Sequence, residues 1–197
     1  MRILWLGPPS AGLRWLRDQG ETVRAWTAPV VVADLDRFAP DLLVSCGYRW
    51  RVPAAVLEAM QGRAINGHIS LLPWNRGAHP NLWAAYEGTP SGVTWHVMDA
   101  GLDTGPILAQ WQMSLSDAET LQSSHTLLQE ALMRLFRQCW PELWKVWSWE
   151  PRPQEGVGTS HRQAEGLALL AQFPAGWDTP LAVVRQAGNQ QRSGHAV

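Results

Sequence analysis

Short apolar runs and helical stretches take turns along the first part of the chain, and this alternation constrains the fold more than any other feature. RILWL (2–6), ETVRAW (21–26), DLLVSCG (41–47) and RAIN (63–66) have the length and apolar or alternating character of strands. After the first, GPPSAG leads into a helix with Leu13 and Leu16 at helical spacing and Gly20 at its end, whereas the stretch between the second and third reads as a loop. VPAAVLEAM (52–60) is helical, with Pro53 where a first turn tolerates it. Strands joined by such crossovers form a mostly parallel open α/β sheet with helices on both faces. In that architecture a ligand lies beyond the carboxyl ends of the strands.

Farther on, HPNLWAAYEG predicts a short helix stopped by Gly88, SGVTWHVMD (91–99) alternates like a strand, and GLDTGPILAQW is a glycine-braced loop entering another. Ser116 and Glu119 match a capping box ahead of a long amphipathic helix carrying Leu121, Leu128, Leu132, Leu135, Cys139 and Leu143, which Pro141 should kink or end. EPRPQEGVG (150–158) reads as a turn-rich linker. The expected organisation is one domain over 1–150, an extension over 151–185 packed on or near the site, and a disordered tail over 186–197.

A chain of 197 residues fits one domain better than two, and sixteen basic against seventeen acidic residues leave a formal charge of −1. With no basic block, neither nucleic acid nor an anionic membrane is an expected partner. MRILWLG is too short for a secretory core or a spanning helix, so the expected location is the cytoplasm. Cys46 and Cys139 show neither disulfide nor zinc spacing and read as packed thiols. Thirteen tryptophans point to aromatic packing in the core and at its boundary.

The chemistry centres on AINGHISLLP (64–73), where Asn66 and His68 at alternate positions of an extended segment project to one side as the strand ends. Such a pair can hold a developing negative charge, join a metal site, or satisfy itself. Downstream, Asp103 in GLDTG sits between Gly101 and Gly105, which permit a tight bend that carries a carboxylate toward the same edge. A carboxylate favours the imidazolium, and an imidazolium with an amide donor makes an electrophilic pocket for an oxyanion. The metal alternative has only His79 and Asp99 as further ligands nearby in sequence, and no metal is expected. GPPSAG lacks the spacing of a dinucleotide or phosphate-binding loop and reads as a strand-to-helix turn.

INGHISLLPWNRG followed by GVTWHVMDAGLDTG resembles the signature of the folate-dependent formyltransferases, the group that includes glycinamide ribonucleotide transformylase, methionyl-tRNA formyltransferase and the sugar N-formyltransferases. The resemblance runs to about residue 145 and is strongest over 64–110. It implies a Rossmann-like domain, 10-formyltetrahydrofolate as donor, and Asn66, His68 and Asp103 as catalytic residues. Asn66 and protonated His68 would stabilise the tetrahedral oxyanion while Asp103 supports the imidazolium and helps move a proton. It also implies a folate crevice between loop 47–52 and loop 99–103, with Tyr48, Trp50, Arg51, Val52, Asp99, Gly101 and Leu102 as contacts. RWR at 49–51 is bulkier and more polar than the aliphatic residues usual there, and Arg49 or Arg51 either meets the glutamate tail of folate or is solvated beside a packed Trp50.

The acceptor should meet loop 74–81, with Arg76, His79 and Asn81 as candidate contacts, and the segment after Gly158 as a possible further wall. His161 and Arg162 read as a solvated basic pair in a turn. His96 either supports the site or makes a core hydrogen bond. No β-barrel domain of the methionyl-tRNA type is expected after the linker, and WNRGAHPNLW looks most like stand-alone transferases, so the expected acceptor is a small amine such as a nucleotide-linked amino-sugar; a homodimer is compatible with this reading. The alternatives are a 10-formyltetrahydrofolate hydrolase using the same site and a non-catalytic folate-binding protein.

Overall fold

The computed structural model describes residues 1–143 and 150–194. Its elements run β1 (Arg2–Leu6), α1 (Ala11–Asp18), β2 (Thr22–Trp26), α2 (Val32–Phe38), β3 (Leu42–Cys46), α3 (Ala54–Met60), β4 (Ala64–His68), β5 (Arg76–Gly77), α4 (Pro80–Glu87), β6 (Gly92–Val97), β7 (Ile107–Gln112), α5 (Leu121–Leu143), β8 (Ser160–His161), α6 (Gln163–Leu170) and α7 (Leu181–Gly194). Six strands form one sheet in the order β2-β1-β3-β4-β6-β7, and β5 and β8 form a second. The pairs β1–β2, β1–β3 and β3–β4 are parallel, as the alternation requires. Among the described residues, no helix is long and apolar enough to cross a membrane.

The chain divides into two compact units that interleave in sequence. The first comprises Met1–His68, Trp95–Ala109 and Met133–Pro153, and the second Ile69–Thr94, Gln110–Leu132 and Gln154–Val197. A single boundary at residue 150 therefore does not describe the organisation. Residues 186–194, expected to be disordered, are helical in α7, while 195–197 lie outside the described residues. The reason is burial: Leu181 and Val184 of α7 join Leu82, Ala85, Leu121, Leu169 and Phe173 in one apolar cluster. Each such side chain contributes roughly 1.5–3 kcal/mol on leaving water, more than a polar tail sequence suggests.

In the first unit, the strand order reverses between β1 and β3, so the loops that leave these strands part at a switch point. Gly7, at φ +125, opens the first loop, and a Cβ there would stand 2.1 Å from the Cys46 carbonyl oxygen. Ser10 caps α1 by accepting from the Leu13 N–H at 3.3 Å, so GPPSAG is a strand-to-helix turn. Where a loop was expected before β3, α2 forms instead, with the Asp34 carboxylate accepting from the Val31 N–H at 2.9 Å and Leu35 and Phe38 buried. The cap of α5 also differs from expectation: Ser116 turns its hydroxyl to the Ala118 N–H, and Thr120 Oγ1 accepts from the Ser123 N–H at 3.1 Å. Pro141 lies inside α5. The side chain of Leu143 lies outside the described residues.

Part of the tryptophan excess is explained here. Trp5, Trp15, Trp95 and Trp140 surround Phe136, with ring centroids 6.0, 6.3, 4.8 and 5.3 Å from it, the first two edge-on. Gly12 lets α1 approach this cluster, since a Cβ there would lie 2.8 Å from the Trp5 ring.

Candidate active site

β4 ends with Asn66 and His68 on one side and Gly67 between them, paired with Cys46 of β3. On β6, the next strand of the sheet, His96 is 2% exposed. The loop after β6 bends back through Asp99, whose Oδ1 accepts from the Gly101 N–H at 3.0 Å and the Thr104 hydroxyl at 2.6 Å. Gly101 and Gly105 are both required, because a Cβ would fall 1.9 Å from Thr104 Oγ1 in one case and 1.8 Å from the Val97 carbonyl oxygen in the other. Asp103 is left in the left-handed region at φ +53, a conformation that aspartate tolerates better than most residues and that costs about 1 kcal/mol or more. Its carboxylate is thereby delivered to the ends of β4 and β6.

Asp103 Oδ1 accepts from Asn66 Nδ2 at 3.1 Å, and Oδ2 lies 3.6 Å from His68 Nδ1. The three residues expected to converge do so, within the first unit. His96 joins them: its Nε2 is 3.1 Å from Asn66 Nδ2 and 3.4 Å from Asp103 Oδ1, while its Nδ1 is 2.8 Å from the Val97 carbonyl. That carbonyl can only accept, so Nδ1 carries a proton, and in the tautomer this selects Nε2 presents a lone pair to the Asn66 amide. Turning the amide over would set its carbonyl oxygen against Asp103 Oδ1, acceptor on acceptor. His96 and Asp103 together therefore fix the orientation of Asn66. Nδ1 of His68 faces Asp103, which places Nε2 on the far side of the ring. Cys46 lies next in register to this cluster, but burial pushes its thiol up to about 12 and leaves it unreactive.

The two loops expected to hold folate meet in the same unit. Arg51 donates from Nη2 to the carbonyl of Ala100, tying loop 47–52 to loop 99–103. Asp99, Gly101 and Leu102 are exposed, Leu102 at 56%. Trp50 is 46% exposed rather than packed, and its Nε1 donates to the Thr27 carbonyl at 3.0 Å. Tyr48 donates to the Ala28 carbonyl at 2.6 Å and accepts from the Val30 N–H; burial, with the Asp34 charge adding, raises its phenol above the ordinary value. Both aromatics thus hold the loop after β2, a tether invisible in sequence. Val52 is a core residue, packed with Leu6, Leu43 and Val56.

The Formyl transferase family matches residues 14–138. A solved formyltransferase, PseJ from Anoxybacillus kamchatkensis, is 34% identical with a TM-score of 0.86, the match covering 95% of this chain and 100% of that one. This chain is a member of the formyl transferase family. PseJ was crystallised with UDP-4,6-dideoxy-4-formamido-L-AltNAc and tetrahydrofolate. Methionyl-tRNA formyltransferases are also similar: that of Myxococcus xanthus is 38% identical over 66% of this chain and 42% of its own length, and one from Synechococcus sp. is 37% identical over 81% and 49%. The chain spans about a third to a half of the length of the curated relatives it matches, from 31% to 49%. Relatives that formylate a tRNA remove the ground for excluding nucleic acid on charge alone.

The residues suggested for the acceptor lie in the second unit, and most are committed to its structure. Asn81 is 3% exposed and donates from Nδ2 to the Leu121 carbonyl at 2.9 Å and to the Ser124 hydroxyl at 3.2 Å. Arg76 donates to Gln154 Oε1 from Nε at 3.0 Å and from Nη2 at 2.8 Å. His79 is the N-cap residue of α4 at φ +54, with its ring against Gly166 and 5.7 Å from that of Trp177. His161 is not solvated: it stacks on Trp83 with centroids 3.9 Å apart and planes 7° from parallel, and its Nε2 is 3.1 Å from Glu87 Oε1. Arg162 is the N-cap residue of α6, where its N–H donates to Glu165 at 2.7 Å.

Proposed function

We propose that this family member transfers the formyl group of 10-formyltetrahydrofolate to the amine of a small molecule, a nucleotide-linked amino-sugar. The observation that carries the reaction is the convergence of Asn66, His68 and Asp103, with Asp103 held at φ +53. The amine lone pair attacks the formyl carbon, a C–N bond forms and the carbonyl becomes an oxyanion. His68 donates to that oxygen from Nε2, and Asn66 from its amide. Asp103 takes the proton that the attacking nitrogen sheds. As its charge is neutralised, Oδ1 loosens its hold on the Asn66 N–H, which turns to the oxyanion as charge grows there. Collapse breaks the bond from carbon to N10 of the folate, N10 receives the proton, and tetrahydrofolate leaves with the formamide as product. The exposed backbone of loop 99–103 and of loop 47–52, joined by Arg51, offers the donors and acceptors that a pterin edge requires.

The choice of a sugar over a tRNA is supported by the likeness to PseJ, at 34% identity and a TM-score of 0.86 over all of that protein, which was crystallised with a nucleotide-linked formamido-sugar. Incubation with 10-formyltetrahydrofolate and, in parallel, amino-sugar nucleotides, amino acids or methionyl-tRNA tests the proposal by product mass. A formylated amino-sugar nucleotide is the expected result; formylation of the tRNA alone overturns the acceptor class, and tetrahydrofolate release without any amine overturns transfer in favour of hydrolysis.

A further inference from the structure

The Asp103 carboxylate is placed by the loop that carries it, and the stem, interior and tip of that loop are held separately. At the stem, the Met98 N–H donates to the Ala64 carbonyl at 2.8 Å and the Val97 N–H to the Pro106 carbonyl at 2.9 Å, which fixes both ends to the sheet. The interior is braced by Asp99, whose Oδ1 accepts from the Gly101 N–H and the Thr104 hydroxyl. The tip is met by Arg51, which reaches across from the loop after β3 and donates from Nη2 to the Ala100 carbonyl. Asp103 follows in the same loop at φ +53, and a disfavoured backbone of this kind persists only where its surroundings over-determine it.

Arg51 can act as a brace because its own backbone is anchored on both sides. Val52, the next residue, is buried among Leu6, Leu43 and Val56. On the other side, Trp50 donates from Nε1 to the Thr27 carbonyl at 3.0 Å, and the Tyr48 hydroxyl joins the Ala28 carbonyl to the Val30 N–H. Holding the guanidinium on Ala100 therefore costs side-chain entropy alone. Arg51 and Ala100 are both exposed, so their hydrogen bond contributes little to global stability. The departure from aliphatic residues at 49–51 has a use here, since Trp50 and Arg51 are ties between loops.

We infer that Arg51 is a positioning residue for Asp103: by holding the tip of loop 99–103 it keeps Asp103 left-handed, with its carboxylate on Asn66 and His68. The inference rests on the amine-transfer reading above, and every group it uses belongs to the first unit. Without the brace, Asp103 can relax toward right-handed backbone, which draws the proton acceptor away from the oxyanion donors. The other use of this guanidinium, pairing with the glutamate tail of a folate, has a different signature. It acts on binding rather than turnover, and its effect grows with the number of glutamates.

Steady-state kinetics with monoglutamyl and triglutamyl 10-formyltetrahydrofolate, and the amine that the wild-type protein formylates, tests it beside calorimetry of the matching tetrahydrofolates. Arg51→Met, which keeps the aliphatic stem and removes the donors, should lower kcat about fivefold with either donor. It should leave the Kd of both tetrahydrofolates within about twofold and the urea midpoint unchanged. Arg51→Lys, which returns one donor, should recover part of the rate. Beside Asp103→Asn, where the proton acceptor is already gone, Arg51→Met should have no further effect. A kcat within about twofold of wild type for Arg51→Met, or the full loss repeated beside Asp103→Asn, overturns the inference and leaves the reaction standing. A Kd raised by Arg51→Met, and more so for the triglutamate, assigns the guanidinium to the folate tail and overturns it likewise. A wild-type protein that formylates no amine overturns the reaction and the inference with it.

Discussion

The two units reach rigidity by different routes. In the first, the polar cluster is assembled from strand ends: Asn66 and Asp103 are 37 positions apart, Asn66 and His96 only 30, and each arrives by the regular geometry of neighbouring strands and one braced bend. In the second, Asn75 and Thr159 are 84 apart and Arg76 and Gln154 are 78 apart, and the strands they form are two residues long. The first unit places its polar cluster with repeated patterns, and the second holds a loop with single contacts. A change in the first should therefore act on the rate of the chemical step, and one in the second on stability.

The largest effect that can break this contrast is on Asp103. Asp103→Asn preserves size and tolerates the left-handed backbone, but removes the proton acceptor, so formyl transfer should fall about 100-fold or more while tetrahydrofolate binding by calorimetry persists. Turnover within a few-fold of wild type would dissociate the cluster from the reaction.

Next in size are two glycines, one in each unit. Gly105→Ala places a Cβ 1.8 Å from the Val97 carbonyl oxygen, and Gly158→Ala places one 2.1 Å from that of Pro73. Each should cost roughly 2 kcal/mol or more of stability, measured by urea unfolding. Their kinetics should diverge: Gly105→Ala lowers kcat because the Asp103 loop moves, whereas Gly158→Ala, in the unit without the cluster, leaves kcat within about twofold. If both lowered kcat alike, the division of labour between the units would be wrong.

A smaller loss, about tenfold in kcat, is expected of His96→Phe, which keeps the ring and deletes the lone pair that orients the Asn66 amide. His96→Gln, able to accept from Asn66 through its carbonyl oxygen, should recover part of it. Equal rates for the two variants would assign His96 to packing alone.

The smallest effect concerns pH and belongs to the second unit. Burial lowers the His79 and His125 imidazoles from their ordinary 6.5, with the charge of His79 adding at His125. The unfolded chain then binds protons that the folded chain refuses, so the stability present above 6.5 is lost as pH falls below it. The melting temperature should drop between about pH 7.5 and about 5.5, and less so in a His79→Gln/His125→Gln variant. An identical drop in the variant would place the acid sensitivity elsewhere.

The sequence by itself determined the sheet, its parallel crossovers and the grouping of Asn66, His68 and Asp103, because period-two strands and helical spacing are local signals, Asn66 and His68 alternate at the end of β4, and Asp103 sits in a glycine-braced loop. It also showed the glycines that bracket Asp103, though not that Asp103 itself takes the left-handed conformation between them. His96 was visible on an alternating strand but undecided, since nothing local says that β6 lies beside β4 in the sheet. Only the tertiary structure decided the second unit. Arg76 and Asn81 look like exposed polar residues of a loop in a linear reading, and become structural because their partners arrive from 78 and 40 positions away. The same holds for the polar tail that became α7: its helical face is stable because Leu181 and Val184 find an apolar cluster whose other members come from α4, α5, α6 and Phe173 just after α6. Such partners are chosen by closure of long loops around a common core, a term that no window of the sequence contains.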